Sequence, residues 1–154
     1  MKKIVLVLLT VLLLIQLSNR TTSNTLCGCG GDLLTTDEER RAILVKDFND
    51  ASVVFSGEVV ELDTFELKIK VDKSWKGESK NVINMITAAI KIDENTYRSS
   101  SCNYRFQLGK KYLVYAYETD GELKARACSR TKPIQYAEQE MAYLEEIASR
   151  AIDN

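Results

Sequence analysis

Hydrophobic and polar residues alternate through the middle of the chain, which predicts β-strands. In the stretch TFELKIKVDKSW one face carries mostly apolar side chains and the other carries charges, as in a half-buried strand. The apolar residues of this stretch are Phe65, Leu67, Ile69, Val71 and Trp75. The preceding stretch 51–62 is rich in β-branched residues, and Gly57 interrupts it, which predicts a second strand with a bulge or a tight bend. Since only one or two residues around Asp63 separate the two stretches, we expect a hairpin.

Three more strands are predicted, at 81–87, 111–118 and 122–128. The last two are joined by Thr119-Asp120-Gly121, a sequence typical of hairpin turns. Between the third and fourth strands lies a polar stretch, 91–109, which we expect to be a loop pinned at Cys102. The seven tyrosines could suggest a platform for a sugar or a single-stranded nucleic acid, but core packing and hairpin pairing explain the three in the fourth strand better. These are Tyr112, Tyr115 and Tyr117.

Two segments have a helical pattern and flank the strands. Thr36 and Glu39 form a capping-box signature, which predicts a short helix at 37–48. The segment 133–152 has proline in its first turn and an amphipathic pattern typical of a second helix. Its apolar face would be Ile134, Ala137, Met141, Leu144, Ala148 and Ala151. Five strands with bulges and tight hairpins, plus two helices, predict a mainly β, five-stranded closed barrel of OB type, although the pattern alone does not separate this from other small antiparallel barrels.

The first 23 residues have the order of a secretory signal peptide: two lysines, an apolar run at 4–15, then small polar residues. The apolar run is shorter than the roughly 20 residues of a membrane span. Thr21 and Ser23 satisfy the small-residue rule for cleavage after Ser23. We therefore expect a signal peptide at 1–23, one domain at 24–154, and a secreted or periplasmic protein without membrane attachment; the alternative is an uncleaved anchor.

Charge and composition exclude several function classes. Cleavage would remove three of the 21 basic residues and none of the 22 acidic ones, which moves the net charge from −1 to about −4. Without a basic patch, nucleic acid is not an expected partner. The chain has no histidine, so catalytic triads and histidine-based zinc sites are excluded. We expect a protein that is not an enzyme and needs no cofactor.

The four cysteines predict two disulfides in an exported chain. They are Cys27, Cys29, Cys102 and Cys128. A Cys27–Cys29 bond would close a very small, strained ring, which leaves two pairings between the CxC motif and the other two cysteines. The alternative is a structural zinc site, which normally uses paired CxxC knuckles and is disfavoured here.

The order of these motifs resembles a known family. The CxC is followed by ASVVFSGEVVEL, VDKSWKG, SSCNYRFQLGKKYLVYAY, ACSRTKPI and a closing helix. This set is similar to the netrin-like domain and, more closely, to the N-terminal domain of the tissue inhibitors of metalloproteinases (TIMP-like). The similarity covers residues 27–152.

The resemblance implies an OB-fold barrel with disulfides Cys27–Cys102 and Cys29–Cys128. It also implies metalloproteinase inhibition, in which an N-terminal Cys27 chelates the zinc of the target protease through its amine and carbonyl. Gly28 would point into the specificity pocket, and Cys29 and Gly30 would complete the N-terminal edge. The stretch Ser100, Ser101, Cys102 and Asn103 would widen the contact.

Two functions remain open from the sequence. One is a secreted, monomeric inhibitor whose partner is an extracellular zinc metalloproteinase. The other is a netrin-like module that binds an extracellular protein without inhibition. Cleavage after Ser23 would leave three residues before Cys27, and this extension would favour the binding module. The identity of the mature N-terminal residue separates the two.

Overall fold

The computed structural model describes Cys29, residues 36–78 and residues 80–152, which form a mainly β structure with two helices. The helices are α1 (Asp37–Asp50), a 3-10 turn (Ile134–Tyr136) and α2 (Glu138–Ile152). The strands are β1 (Val53–Leu62), β2 (Glu66–Lys76), β3 (Val82–Ile86), β4 (Ala89–Lys91), β5 (Tyr97–Ser99), β6 (Lys111–Thr119), β7 (Glu122–Ala125) and β8 (Lys132–Pro133). The predicted segment 1–23 lies outside the described residues. No described helix is long and apolar enough to cross a membrane.

The main sheet is antiparallel and curls into a half-barrel. Its strand order is β3-β2-β1-β6-β7, with β8 pairing β6, and a separate hairpin is formed by β4 and β5. All five predicted strands are present, but the predicted barrel closure is not, because among the described residues no ladder joins the edge strands β3 and β7. The short strands β4 and β5 lie within or just before the predicted loop 91–109. They were not predicted, because this part of the chain is mostly polar.

Bulges bend the sheet at the β1–β2 ladder. The register shifts at Ser56/Gly57, where Asp72 of β2 is the extra residue, so the irregularity predicted at Gly57 is confirmed. A Cβ at Gly57 would lie 2.4 Å from the carbonyl oxygen of Lys70, so only glycine permits this close approach. A bulge also reverses the alternation that follows it. Trp75, predicted to share a face with Leu67, therefore packs against the helices instead.

Two hydrophobic clusters occupy the two faces of the sheet. The cluster inside the half-barrel contains Phe55, Val59, Leu67, Ile69, Ile83, Met85, Tyr112 and Val114. The cluster under the helices contains Leu44, Phe48, Val54, Leu113, Tyr115, Tyr117 and Leu144. Strand β6 contributes to both, so it is buried on both faces. The prediction that Tyr112, Tyr115 and Tyr117 serve packing is confirmed.

Contacts with neighbouring residues fix both ends of α1 and the start of α2. The predicted capping box is present: the Thr36 amide donates to Glu39 Oε2 at 2.8 Å and the Glu39 amide donates to Thr36 Oγ1 at 3.2 Å. Helix α1 extends two residues beyond the predicted end, and Lys76 Nζ donates to its terminal carbonyls at Phe48 (2.9 Å) and Asn49 (2.7 Å). Helix α2 begins later than predicted because Pro133 pairs with Tyr112 in the sheet.

Candidate functional site

The stretch 99–104 crosses the open side of the half-barrel at one end. The Ser100 amide donates to the Ala88 carbonyl at 2.8 Å, and Asn103 Nδ2 donates to the Thr87 carbonyl at 3.3 Å, both beyond the end of β3. The Tyr104 amide donates to the Ala125 carbonyl of β7 at 2.9 Å. This stretch therefore holds the two edges of the sheet together at one end.

Cys102 and Cys128 both lie where this stretch contacts the end of β7. Asn103 forms an isolated antiparallel β-bridge with Arg126. The Ala127 amide donates to the Cys102 carbonyl at 2.8 Å, so Cys102 lies beside the segment that leads to Cys128. A disulfide joins Cys29 to Cys128, with their Cα atoms 5.2 Å apart. The second cysteine of the CxC motif is thus tied to the same end of the sheet as Ser100 and Asn103.

The cysteine spacing left two disulfide pairings open, and the structure determines the partner of Cys29. Cys29–Cys128 is the pairing that the family resemblance implied, and the alternative pairing of Cys29 with Cys102 is excluded. Cys102 is also disulfide-bonded, which removes the zinc-site alternative. Its predicted partner Cys27 lies outside the described residues, as do the predicted site residues Gly28 and Gly30.

A buried ionic network fixes the chain just after Cys128. The Glu140 carboxylate, 6% exposed, accepts hydrogen bonds from Arg130 Nε (2.6 Å), Arg130 Nη2 (3.1 Å), Lys132 Nζ (2.6 Å) and the Tyr115 hydroxyl (2.8 Å). Thr131 Oγ1 accepts from the Tyr115 amide at 3.0 Å. Residues 129–132 are therefore anchored to both α2 and β6, which gives the Cys128 end of the disulfide a fixed support.

The network shifts the ionisation of its members. Burial opposes the charge of Glu140, but hydrogen bonds and charge from Arg130 and Lys132 outweigh it, and they hold the pKa of this carboxyl below its ordinary value of 4.5. Burial, with the negative charge of Glu140 beside it, raises the pKa of Tyr115 well above its ordinary value. At neutral pH the network therefore consists of an ionised Glu140, a neutral tyrosine and two cations.

Sequence reasoning missed this network although a signal was present. Glu140 lies among the apolar positions of α2, three residues after Ala137 and four before Leu144. A carboxylate on an otherwise buried face indicates a buried cationic partner. Arg130 and Lys132 in the SRTKPI motif were the available candidates.

A shallow groove lies next to the 99–104 stretch. Its volume is about 290 Å³, and its walls include Ala88, Ala89, Tyr97, Tyr104 and Phe106. Tyr97 is 60% exposed and packs edge-on against Phe65 at a ring-centroid distance of 6.2 Å. Exposed aromatic rings beside an apolar groove can receive an apolar side chain from a partner.

No family model matches the chain, and no curated protein is significantly similar to it. The netrin-like and TIMP-like resemblance therefore rests on the motifs and their order, and it enters below as a proposal.

Proposed function

We propose that the chain is a secreted TIMP-like protein whose CxC edge inhibits a zinc metalloendopeptidase. The observation that carries this proposal is the Cys29–Cys128 disulfide, because it ties the CxC motif to the end of the sheet where Ser100 and Asn103 also lie. A disulfide is typical of proteins that reside in an oxidising compartment, which agrees with the signal peptide predicted at 1–23.

The proposed fold is an OB-type, netrin-like barrel. Successive antiparallel pairings leave β3 and β7 running in the same direction, so their pairing as parallel strands would complete an OB-like barrel. The two edge strands already approach within 8 Å, measured between Cα atoms. Stretch 99–104 links them at one end, which supports an OB-type architecture that lacks its final ladder.

Inhibition would follow from the rigidity of the CxC edge. In the proposed mechanism Cys27 is the N-terminal residue, and its amine nitrogen and carbonyl oxygen bind the protease zinc in place of the catalytic water. Because disulfides hold the edge in place before binding, little conformational entropy is lost on docking. Ser100, Ser101 and Asn103 would add polar contacts beside the zinc.

Gly28 would make the inhibitor bind weakly and with little selectivity among metalloendopeptidases. A larger side chain at this position would bury apolar surface in the specificity pocket, and its absence costs roughly 1.5–3 kcal/mol of binding free energy. Selectivity would then depend on the contact made by residues 100–103 and the neighbouring groove. A broad inhibitor of modest affinity is the form of the activity that this sequence supports.

The second candidate is a binding module that does not inhibit proteases. The apolar groove with exposed Tyr97 favours it, because this groove can engage a partner whether or not Cys27 is the first residue. If Asn24-Thr25-Leu26 remain attached, the Cys27 nitrogen is an amide and a poor zinc ligand, so the module would bind through residues 97–106 alone.

The N-terminal amine provides a sharp test. Oxidised protein starting at Cys27 is compared with the same protein acetylated at Cys27 and with protein starting at Asn24, in inhibition assays against several zinc metalloendopeptidases. We expect inhibition only from the free-amine form, with a loss of about 100-fold on acetylation, since a ligand atom is removed. The potency should also fall about tenfold per pH unit below the α-amino pKa of about 7.7–8.0, because the protonated amine cannot bind zinc.

Equal inhibition by all three forms would refute zinc chelation. Absence of inhibition by the Cys27 form, combined with specific binding of a partner that is abolished by Tyr97→Ala, would establish the binding module instead. The matched control is Tyr136→Ala, which removes an exposed tyrosine (71%) that does not line the groove.

A further inference from the structure

A second groove adjoins the one beside Tyr97. It has a volume of about 470 Å³ and is lined by the end of β1, the start of β2 and Leu108 of the loop before β6. Leu62 and Asp63 line both this groove and the groove beside Tyr97. The two grooves therefore form one continuous surface, the double groove.

Exposed apolar side chains are concentrated in the double groove. Val60, Leu62 and Leu108 line the groove beside Leu108, and Tyr97 lines the other groove. These are four of the eight large apolar side chains that are exposed in the described part of the chain. Exposed apolar side chains that lie together, unlike single ones, indicate an interaction surface.

Asp63 places a negative charge where the two grooves join. Its Oδ1 accepts hydrogen bonds from the Phe65 amide at 2.7 Å and from the Glu66 amide at 2.8 Å, whereas Oδ2 makes neither a hydrogen bond nor an ion pair with any described residue. Hydrogen bonds from the Glu66 and Phe65 amides lower the pKa of Asp63 from its ordinary value of 3.8. The carboxylate is therefore ionised at neutral pH, and one of its oxygens is available to a ligand.

Hydrogen bonds hold both sides of the double groove in place. The Thr87 amide donates to the Phe65 carbonyl at 2.7 Å, which joins the β1–β2 turn to the segment after β3. The Gly109 amide donates to the Val59 carbonyl at 2.8 Å, which joins the loop that carries Leu108 to β1. Because the surface is formed before a partner arrives, little conformational entropy is lost on binding.

The charges that line the double groove favour a cationic partner. Glu61 and Lys68 neutralise each other at 2.7 Å. Asp63, Glu66 and Arg105 take part in no ion pair within the described part of the chain. Arg105 lines only the groove beside Tyr97, so the uncompensated charge of the groove beside Leu108 is negative. A negative site bordered by apolar surface attracts a cation that carries apolar neighbours.

We propose that the double groove binds an extended segment of a partner protein in which a lysine or arginine is flanked on both sides by large apolar side chains. One apolar side chain occupies the groove beside Tyr97, the other occupies the groove beside Leu108, and the cation pairs with Asp63. The proposal rests on the binding-module candidate and names the chemistry of its partner. Apolar burial supplies most of the affinity, and the charge pair supplies selectivity.

Short peptides test the order of the three side chains. The probes are acetylated Leu-Ser-Arg-Ser-Leu amide and longer versions with extra serines on each side of the arginine, which vary the distance between the leucines. One control peptide has glutamate in place of arginine, and the other has serine in place of both leucines. In amide chemical shifts of the folded protein, we expect the best probe to shift Leu62, Asp63, Tyr97 and Leu108 and to leave Tyr136 unchanged. Each control should bind at least about tenfold more weakly.

Two variants test the charge of the partner. Asp63→Asn keeps an oxygen that can accept from the Phe65 and Glu66 amides but removes the negative charge. It should weaken binding of the best probe about threefold, as expected for one exposed charge pair. Arg105→Gln removes the opposite charge from the same surface and should not weaken binding. The reverse result would overturn the proposal in favour of an acidic partner.

A matched pair of variants tests the apolar contact. Leu108→Ser should weaken binding at least about fivefold, because its side chain is 59% exposed and would be covered by the peptide. The control Ile92→Ser changes an apolar side chain of similar exposure (60%) that lines neither groove, and it should alter the affinity less than about twofold. Equal losses in the two variants would contradict the assigned position of the peptide.

The N-terminus separates this proposal from protease inhibition. Peptide binding should be the same for protein that starts at Cys27, for its acetylated form and for protein that starts at Asn24. Inhibition should be present only in the free-amine form, so each proposal can fail while the other holds.

Three further outcomes would overturn the proposal. The first is the absence of chemical-shift changes with every probe up to millimolar concentration. The second is equal binding of either control peptide. The third is concentration-dependent dimerisation in sedimentation, with shifts at the double groove on dilution, which would assign this surface to a second copy of the chain.

Discussion

Replacing Glu140 by glutamine tests whether the buried network supports the disulfide end of the sheet. Glutamine keeps the shape and the acceptor for the Tyr115 hydroxyl but removes the negative charge that Arg130 and Lys132 contact at 2.6 Å each. Breaking a fully buried ion pair costs about 3–5 kcal/mol. The cationic side chains are 24% and 31% exposed, so water solvates part of their charge. We therefore expect a loss of about 2–3 kcal/mol in the free energy of unfolding.

The assay is urea denaturation with the disulfides intact, followed by far-UV circular dichroism. The matched control is Glu61→Gln, which removes a carboxylate paired with Lys68 at 2.7 Å on the surface and should cost less than about 1 kcal/mol. A Glu140→Gln protein within about 0.5 kcal/mol of the unchanged protein would refute the assigned role of the network.

The pH dependence gives the same test a second readout. Because the pKa of Glu140 is lower in the folded state than its ordinary value of 4.5, the unfolded state binds this proton first as the pH falls. The stabilisation is fully present above about pH 5 and is lost as the pH falls through the folded-state pKa. The difference in unfolding free energy between the unchanged protein and Glu140→Gln should be constant from about pH 5 to 8 and should shrink below about pH 4.5. A difference that stays constant down to about pH 3 would contradict this assignment.

Three further changes test the fold around the site. Gly57→Ala places a Cβ 2.4 Å from the Lys70 carbonyl oxygen and should cost at least about 2 kcal/mol in urea denaturation; a neutral effect would show that the bulge can relax. Lys76→Met removes the side-chain hydrogen bonds to the end of α1 and should lower the free energy of unfolding by about 1–2 kcal/mol. The exposed control Lys70→Met should lower it by less than about 0.5 kcal/mol, and equal losses would argue against the capping role of Lys76. Joint replacement of Cys29 and Cys128 by serine removes a bond with a sequence separation of 99. Because the proposed Cys27–Cys102 bond would still connect the two positions by a much shorter path, the loss should be about 3–4 kcal/mol, measured as the shift in urea midpoint; no shift would mean that this bond does not stabilise the folded chain.

Local pattern accounts for most of the secondary structure. The period-two alternation of 65–75, the capping box at Thr36 and the turn at Thr119-Asp120-Gly121 each depend on short-range physics, and the corresponding strands, helix and hairpin are present. The positive φ angles of Asp120 (56°) and Gly121 (79°) are the backbone conformation that such a turn requires.

Features that depend on distant parts of the chain were missed or misplaced. The face on which Trp75 packs depends on the extra residue at Asp72, and a bulge position is set by both strands of a ladder. The start of α2 depends on the pairing of Pro133 with β6, and the open edge of β3 depends on where β7 ends. The Glu140 network joins residues from three elements, which no single stretch of sequence contains.

The candidate site was predicted with mixed success. The pairing of Cys29 with Cys128 followed from the resemblance and is confirmed, and Ser100, Cys102 and Asn103 lie at the same end of the sheet. The groove beside Tyr97 was not predicted, because the polar sequence 91–109 gave no indication that Tyr97 would line a groove together with Ala88 and Phe106. The N-terminal half of the edge, Cys27 and Gly28, stays a prediction.

The intact mass of the exported, non-reduced protein is the decisive measurement for the proposal that the chain is secreted and that two disulfides hold its CxC motif. We expect a chain that lacks at least its first 23 residues and that is lighter than the reduced form by roughly four hydrogens. A start at Cys27 would permit zinc chelation, and a start at Asn24 would select the binding module. A mass that includes residues 1–23, or one that shows free thiols, would contradict the account.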